Sequence, residues 1–299
     1  MYLFTKKLDF KDKILYGLFS ILLLLILIGL GSSACNASNT VVRTAGREKL
    51  PTVNSKIISK YETIKPKQWG EKLSGVVIGL NTTQQTVALT IDACGGSTRS
   101  NGYDAKLIDF LTKNKIPATL FITGRWIDAN PKIFQQLAQN RLFDIENHGL
   151  NHKPASVNGR SAYGIKGCSS VGDFIRELDE NGKKITLLTG RKTSFYRSGT
   201  DYYDEVALSI ASDLGYKIVS YSVLGDAGAT FNRKQVKQAL ITAPAGAIII
   251  LHMNHPESET AEGVMDAIPI MKKNGFKFVK ISSAALKLKP SKVPVERVL

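Results

Sequence analysis

Phe143-Asp144-Ile145-Glu146-Asn147-His148-Gly149-Leu150-Asn151-His152 is a short strand, Phe143–Glu146, that runs straight into two histidines four residues apart. The chain holds only four histidines, and the other two, His252 and His255, also stand close together. Confinement to two short clusters points to chemistry. A single His-x3-His would fit a surface loop equally well, so the flanking sequence has to decide.

Working outward, strand-like and helix-like stretches alternate. Before the histidines come Thr86–Ile91 (TVALTI), a helical pattern from Tyr103 to Lys113, and Ala118–Ile122 (ATLFI). Asn130-Pro131 then opens a helix to about Gln139, with asparagine as cap and proline in the first turn. After the histidines comes a helix from Val171 to about Leu188, with Phe174, Ile175, Leu178, Ile185 and Leu188 near a 3.6-residue period. The pattern continues through strand Thr193–Tyr196, helix Tyr202–Leu214, strand Lys217–Val223 and helix Arg233–Ile241. Strand Ala247–Leu251, helix Ala261–Asn274 and strand Lys277–Ile281 complete it. Such alternation predicts an α/β fold of about seven units with parallel strands, either a barrel or a doubly wound sheet.

The polar residues follow this plan. Asp92, His148 with His152, Arg197, Asp226 and His252 each lie just beyond the C-terminal end of a different strand. In barrels and open α/β sheets that edge carries the site, because the strands deliver their loops to one face. Two imidazoles four apart can face one metal ion, and a carboxylate brings a zinc-like ligand set to three. A metal so held leaves room for water and suits hydrolysis of an amide or ester. His252 is placed to protonate a leaving group, whereas His255 reads as a loop residue.

The N-terminus is a separate matter. Lys6, Lys7, Lys11 and Lys13 precede the uncharged apolar run Ile14–Leu30. As a helix the run would span roughly 25 Å at about 1.5 Å per residue, a little short of a bilayer core of about 30 Å. Residues 1–35 are expected to be a signal peptide or membrane anchor, with the body of the chain outside the cytoplasm. Gly31-Ser32-Ser33-Ala34-Cys35 leaves three outcomes open: lipidation of Cys35, cleavage near Ala34, or an uncleaved anchor. Residues 36–68, rich in Ser, Thr, Asn and Lys, read as a solvated spacer. Residues 69–288 form the globular domain, and 289–299 a polar tail.

The net charge of +15 favours polyanionic partners. For an exported chain those are acidic glycan or an anionic membrane face, and not nucleic acid. Beyond Cys35 the chain carries Cys94 and Cys168, which an oxidising compartment would allow to pair. Composition says nothing of oligomeric state.

At these residues the chain resembles the polysaccharide deacetylase (NodB-homology) family, carbohydrate esterase family four. Five stretches carry the likeness in order: Thr90-Ile91-Asp92-Ala93-Cys94-Gly95-Gly96, His148-Gly149-Leu150-Asn151-His152, Tyr196-Arg197-Ser198-Gly199-Thr200, Asp226 in Gly225-Asp226-Ala227-Gly228, and Leu251-His252. The resemblance covers about Val76 to Ile281. It implies a deformed (β/α) barrel of about seven units and removal of acetyl groups from N- or O-acetylated glycans with a divalent metal, zinc foremost. It further implies that His148 and His152 bind the metal, His252 is the general acid, and Arg197 and Asp226 orient the catalytic groups.

The first motif departs from the family's Asp-Asp pair. Asp92 stands at the base position, and Ala93 replaces the metal-binding aspartate. Asp92 is therefore expected to serve as base or as metal ligand, and in the second case Glu146 is another carboxylate that could activate water. Gly149, where serine or threonine is usual, removes a hydrogen bond from the loop, and Ser198-Gly199, lacking proline, should be flexible. The leading expectation is a metal-dependent deacetylase acting on an extracytoplasmic glycan, attached to the membrane through its N-terminal segment. The alternatives are a catalytically impaired glycan-binding protein on the same fold and a hydrolase of a small amide or ester.

Overall fold

A computed structural model describes residues 53–283 and 288–292. The expected signal peptide or anchor lies outside the described residues. Among those described, no helix is long and apolar enough to cross a membrane.

Four strands make the centre of the sheet: the largely apolar β2 (Thr86–Ala93), β3 (Ala118–Ile122) and β8 (Ile248–His252), and the mixed β4 (Phe143–Asn147). β2 and β3 are buried at every position, as expected for parallel strands covered on both faces. Around them lie β5 (Phe195–Tyr196), β6 (Lys217–Ile218) and β7 (Val223–Leu224), in the order β6-β5-β4-β3-β2-β8-β7. β9 (Lys277–Val279) also pairs with β2. Every pair in this sheet is parallel.

The sheet curls and leaves a gap between its end strands β6 and β7. β1 (Val77–Leu80) lies there, with Val77 bridged to Val219 and Gly79 to Ala247. The period of two along each strand divides the core. Val87, Leu89, Ile91 and Ala93 of β2 face the helices, in a cluster with Trp126, Ile127 and Val264. Ala88 faces the inside of the curl with Phe121, Phe195, Val219 and Ile248. This is the deformed α/β barrel that the sequence leads one to expect.

The helices are α1 (Val53–Tyr61), α2 (Ala105–Lys113), α3 (Gly124–Ala129), α4 (Pro131–Gln139) and α5 (Val171–Thr189). They continue with α6 (Glu205–Asp213), α7 (Arg233–Ile241) and α8 (Thr260–Lys273). α5 starts where Ser170 accepts the amide of Asp173 and stops at Gly190, whose φ of 70° ends the last turn.

Four expectations need correction. The solvated spacer ends earlier than residue 68, because α1 lies within it and buries Ile57 and Tyr61 against the cluster that holds Phe174 and Ile210. The tail begins later, because β10 (Leu288–Pro290) pairs antiparallel with β1 and Ser291 is buried. The expected strand Lys217–Val223 is two short strands, since the carbonyls of Val219 and Ser220 between them turn to accept from the Arg197 guanidinium. Asn130 stands at the expected cap but makes no side-chain cap bond. Its amide instead donates to the carbonyl of Asn101.

Candidate active site

The C-terminal ends of β2 and β8 lie side by side, and the register pairs Asp92 with His252. Both line a cavity of about 590 Å³ together with Cys94, Arg125, His152 and Tyr221. A larger hollow of about 1100 Å³, bordered by Tyr61, Phe195, Asp213 and Lys217, holds none of the motif residues.

Asp92 is buried between a cation and an imidazole. Its Oδ1 accepts from Arg197 Nη1 at 2.7 Å, and its Oδ2 lies 3.5 Å from His148 Nε2. Burial alone would raise its pKa, yet Arg197 foremost, with His252, holds the carboxyl below the usual value. Arg197 is wholly spent on this task. Nη2 donates to Thr90 Oγ1 and to the carbonyl of Ser220, Nε donates to the carbonyl of Val219, and the guanidinium lies 4.4 Å over the Phe121 ring.

Asp226 does the corresponding work for His252. Its Oδ1 meets His252 Nδ1 at 2.8 Å, and its Oδ2 accepts the backbone amide of His252 at 2.7 Å and the hydroxyl of Thr260 at 3.1 Å. Burial by itself would lower the imidazole's pKa. The Asp226 carboxylate outweighs it, with help from Asp92, and holds His252 above its ordinary value. The Asp226 bond at Nδ1 leaves Nε2 for the cavity.

The histidine pair is neutral. Burial depresses His148 to about 4 and holds His152 well below its ordinary value. The two rings stand edge to face with centroids 5.0 Å apart. His148 Nδ1 lies 2.9 Å from the carbonyl of Arg197, so it carries the proton and Nε2 keeps its lone pair. His152 is held at φ 61°, uncommon outside glycine.

Two motif departures have structural compensation. Gly149 has φ 81°, and a Cβ there would come within 2.6 Å of Glu177 Oε1. The same oxygen accepts the amides of Asn151 and Lys153, so a carboxylate from α5 steadies the loop where the missing hydroxyl would have done so. Ser198-Gly199 is pinned as well. The Ser198 hydroxyl donates to the Tyr202 carbonyl, and a Cβ on Gly199 would lie 2.2 Å from the carbonyl oxygen of His152. The expected flexibility of this stretch is corrected by that packing.

Glu146 is not a neighbour of Asp92's cavity. Its carboxyl accepts the amides of Ser194 and Phe195 at the start of β5 and borders a different hollow with Arg191 and Lys217. Burial raises it to about 7. His255 reaches only the cavity rim, paired with Glu257. The Cys94–Cys168 pairing that the sequence left open is not made, and both thiols are free. Cys168 is buried in the cluster with Phe174 and Tyr196, while Cys94 lies at the site, its Sγ 3.9 Å from His148 Nε2.

A divalent metal fits these residues. Cys94, His148 and His152 can offer ligand atoms that all lie within 4.8 Å of one another. His152 Nδ1 is buried without a hydrogen-bond partner. His148 Nε2 and Asp92 Oδ2 turn lone pairs toward each other, an arrangement that a cation relieves.

Residues 79–219 match the polysaccharide deacetylase family, from within β1 to just past β6, a span that holds all but the last two motif stretches. The likeness is to carbohydrate deacetylases. The peptidoglycan-N-acetylmuramic acid deacetylase PdaA of Bacillus subtilis is 29% identical over 71% of this chain and 75% of its own length. The peptidoglycan-N-acetylglucosamine deacetylase of Bacillus cereus is 25% identical, over 67% of this chain and 87% of that protein. The crystal structure of B. subtilis PdaA, a family 4 carbohydrate esterase, superposes with a TM-score of 0.56 at 26% identity, covering 76% of this chain and 86% of the other. A pseudoenzyme of the same esterase family from Bacillus anthracis gives 0.57 at 22% identity, covering 70% and 68%.

Proposed function

We propose that this deacetylase is a metal-dependent hydrolase that removes acetyl groups from an acetylated polysaccharide outside the cytoplasm, peptidoglycan first among the candidates. One observation carries the reading. Two carboxylate-supported pairs, Arg197–Asp92 and Asp226–His252, meet in register on adjacent strands, one poised to take a proton and the other to give one.

His148 and His152, neutral and with nitrogen lone pairs available, would hold the metal, and imidazole ligands suit zinc. The chemistry such a metal supplies is polarisation of the acyl carbonyl and activation of water. Asp92, kept ionised by Arg197, receives the proton of the attacking water. His252, kept protonated by Asp226, delivers a proton to the departing sugar nitrogen or oxygen. Acetate and the free amine or hydroxyl leave. A carboxylate base and an imidazolium acid each contribute on the order of 10²–10⁴ in rate. The names of the relatives support a peptidoglycan substrate, and the apolar Lys-flanked N-terminus supports attachment at the membrane.

The test is acetate release from peptidoglycan fragments and acetylated chito-oligosaccharides, before and after chelation and with zinc restored. Release that stops on chelation and returns with zinc is expected. A folded protein that frees no acetate from any acetylated glycan would overturn the reading in favour of a glycan-binding protein. Exclusive turnover of small acyl esters would favour the small-substrate alternative.

A further inference from the structure

We propose that Cys94 is a metal ligand, completing with His148 and His152 a thiolate–imidazole–imidazole site and leaving Asp92 free to act as the base. The assignment rests on the metal-dependent reading above and deepens it. It comes from where β2 ends. Ala93 is the last residue of the strand and points into the helix-side apolar cluster, so its side chain is turned away from the histidines. Asp92 and Cys94, one residue to either side, both line the cavity.

The distances suit coordination. With bonds of about 2.3 Å to sulfur and about 2.0–2.1 Å to nitrogen, two tetrahedral ligands sit about 3.4–3.6 Å apart. Cys94 Sγ and His148 Nε2 are 3.9 Å apart, and the full set of three lies within 4.8 Å. Movements of well under 1 Å per side chain would close such a set on an ion. Asp92 also approaches His148 Nε2, at 3.5 Å, but its other oxygen is committed to Arg197 and it is not one of the three groups that converge.

The thiol is held where it is. The carbonyl of Cys94 accepts from Thr123 Oγ1 at 2.6 Å and from Arg125 Nε at 2.9 Å. The next residue, Gly95, has φ 66° and packs so tightly on Trp126 that a Cβ would lie 2.8 Å from its backbone. His152, nine-tenths buried, lines the same cavity with an unpartnered ring nitrogen. A thiolate beside two neutral imidazoles would also supply the negative charge that Ala93 cannot.

Cobalt(II) reports sulfur ligation directly. Metal-free protein is titrated anaerobically with Co(II), following absorbance and affinity in wild type, Cys94→Ser, Cys94→Asp, Cys168→Ala and Asp92→Asn, each checked for folding by circular dichroism. A near-ultraviolet sulfur-to-cobalt charge-transfer band that saturates at one equivalent is expected in wild type. Cys168→Ala and Asp92→Asn should keep it. Cys94→Ser should lose the band and bind Co(II) at least about tenfold more weakly, because even groups behind the ligands are worth about 10–100-fold. Cys94→Asp should regain affinity without the band. Tight binding with no band, a band that survives Cys94→Ser, or loss of binding in Asp92→Asn alone would overturn the assignment. Failure of wild type to bind Co(II) at all would overturn it together with the metal-dependent reading. A band without acetate release would leave the ligand in place and overturn only the catalytic function.

Discussion

Asp226 never reaches the cavity, yet it sets the pH range in which the site can work. Its carboxylate raises the pKa of His252 against the pull of burial. An acid with a raised pKa stays protonated further into neutral pH, and activity falls as pH rises through that value. Asp92 behaves in the opposite sense. Held low by Arg197, it stays ionised until pH falls below the ordinary carboxylate range. The rate profile should therefore be bell-shaped, with the basic limb belonging to the His252 pair. In Asp226→Asn the main support is gone and burial outweighs what Asp92 still supplies, so that limb should move to lower pH and kcat at neutral pH should drop by about tenfold or more. Rate–pH profiles of the two proteins on one substrate measure this. An unmoved basic limb would mean that His252 is not the acid. His252→Ala should cost about 10²–10⁴ in kcat with little change in KM, read from steady-state kinetics.

Among the elements, the loop that carries His148 and His152 is the most closely supported. It is held from α5 by Glu177 and from the Arg197 strand end by Gly199. Glu177→Ala would leave two part-buried amides without an acceptor, at about 1–2 kcal/mol each, in the lower part of the range for a buried group. Thermal or denaturant unfolding should show about 2–4 kcal/mol lost, and zinc affinity should weaken by about 10–100-fold. Gly199→Ala should displace His152 and weaken zinc binding while hardly affecting the His252 limb of the pH profile. Equal zinc affinity in Gly199→Ala and wild type would show that this contact does not position the ligand.

The same loop marks how far sequence reading reaches. The long apolar strands β2, β3 and β8 were legible because burial on both faces leaves an uninterrupted run. The histidine pair was legible because its strand announces it. Glu177 was not, since its partner amides lie about 25 residues away and only folding joins them. β5, β6 and β7, two residues each, are fixed by pairing and by the demands of Arg197 rather than by local propensity. Cys94 stood within the first motif and as one half of a possible disulfide, but not as a ligand, because its side depends on where β2 stops. Asp92, Arg197, Asp226 and His252 stood out from strand position and motif order alone, and the fold brings all four together.

For the whole molecule, α1 extends the folded body beyond the family match. It buries Ile57 and Tyr61 on α5 and α6, and Lys60 and Tyr61 both reach Asp213. A buried isoleucine cut to alanine costs about 2–5 kcal/mol, and Ile57 lies near the edge of its cluster, so Ile57→Ala should cost about 2 kcal/mol. Denaturant unfolding checks this, while kcat should stay within about twofold because α1 touches none of the site residues. A deletion of residues 1–62 should be less stable by at least as much.

The register of Asp92 with His252 has a further consequence. The proposed proton acceptor and proton donor are carried by neighbouring strands, whose separation of about 4.8 Å is fixed by backbone hydrogen bonding. No insertion, deletion or reshaping in the surrounding loops can widen or narrow that interval without tearing the sheet. The walls of the cavity, by contrast, come in large part from loops such as those bearing Ser100, Tyr163 and Ala227. On the proposed function, a lineage can therefore exchange one substrate for another by rewriting the walls while the spacing of Asp92 and His252 stays as the sheet sets it.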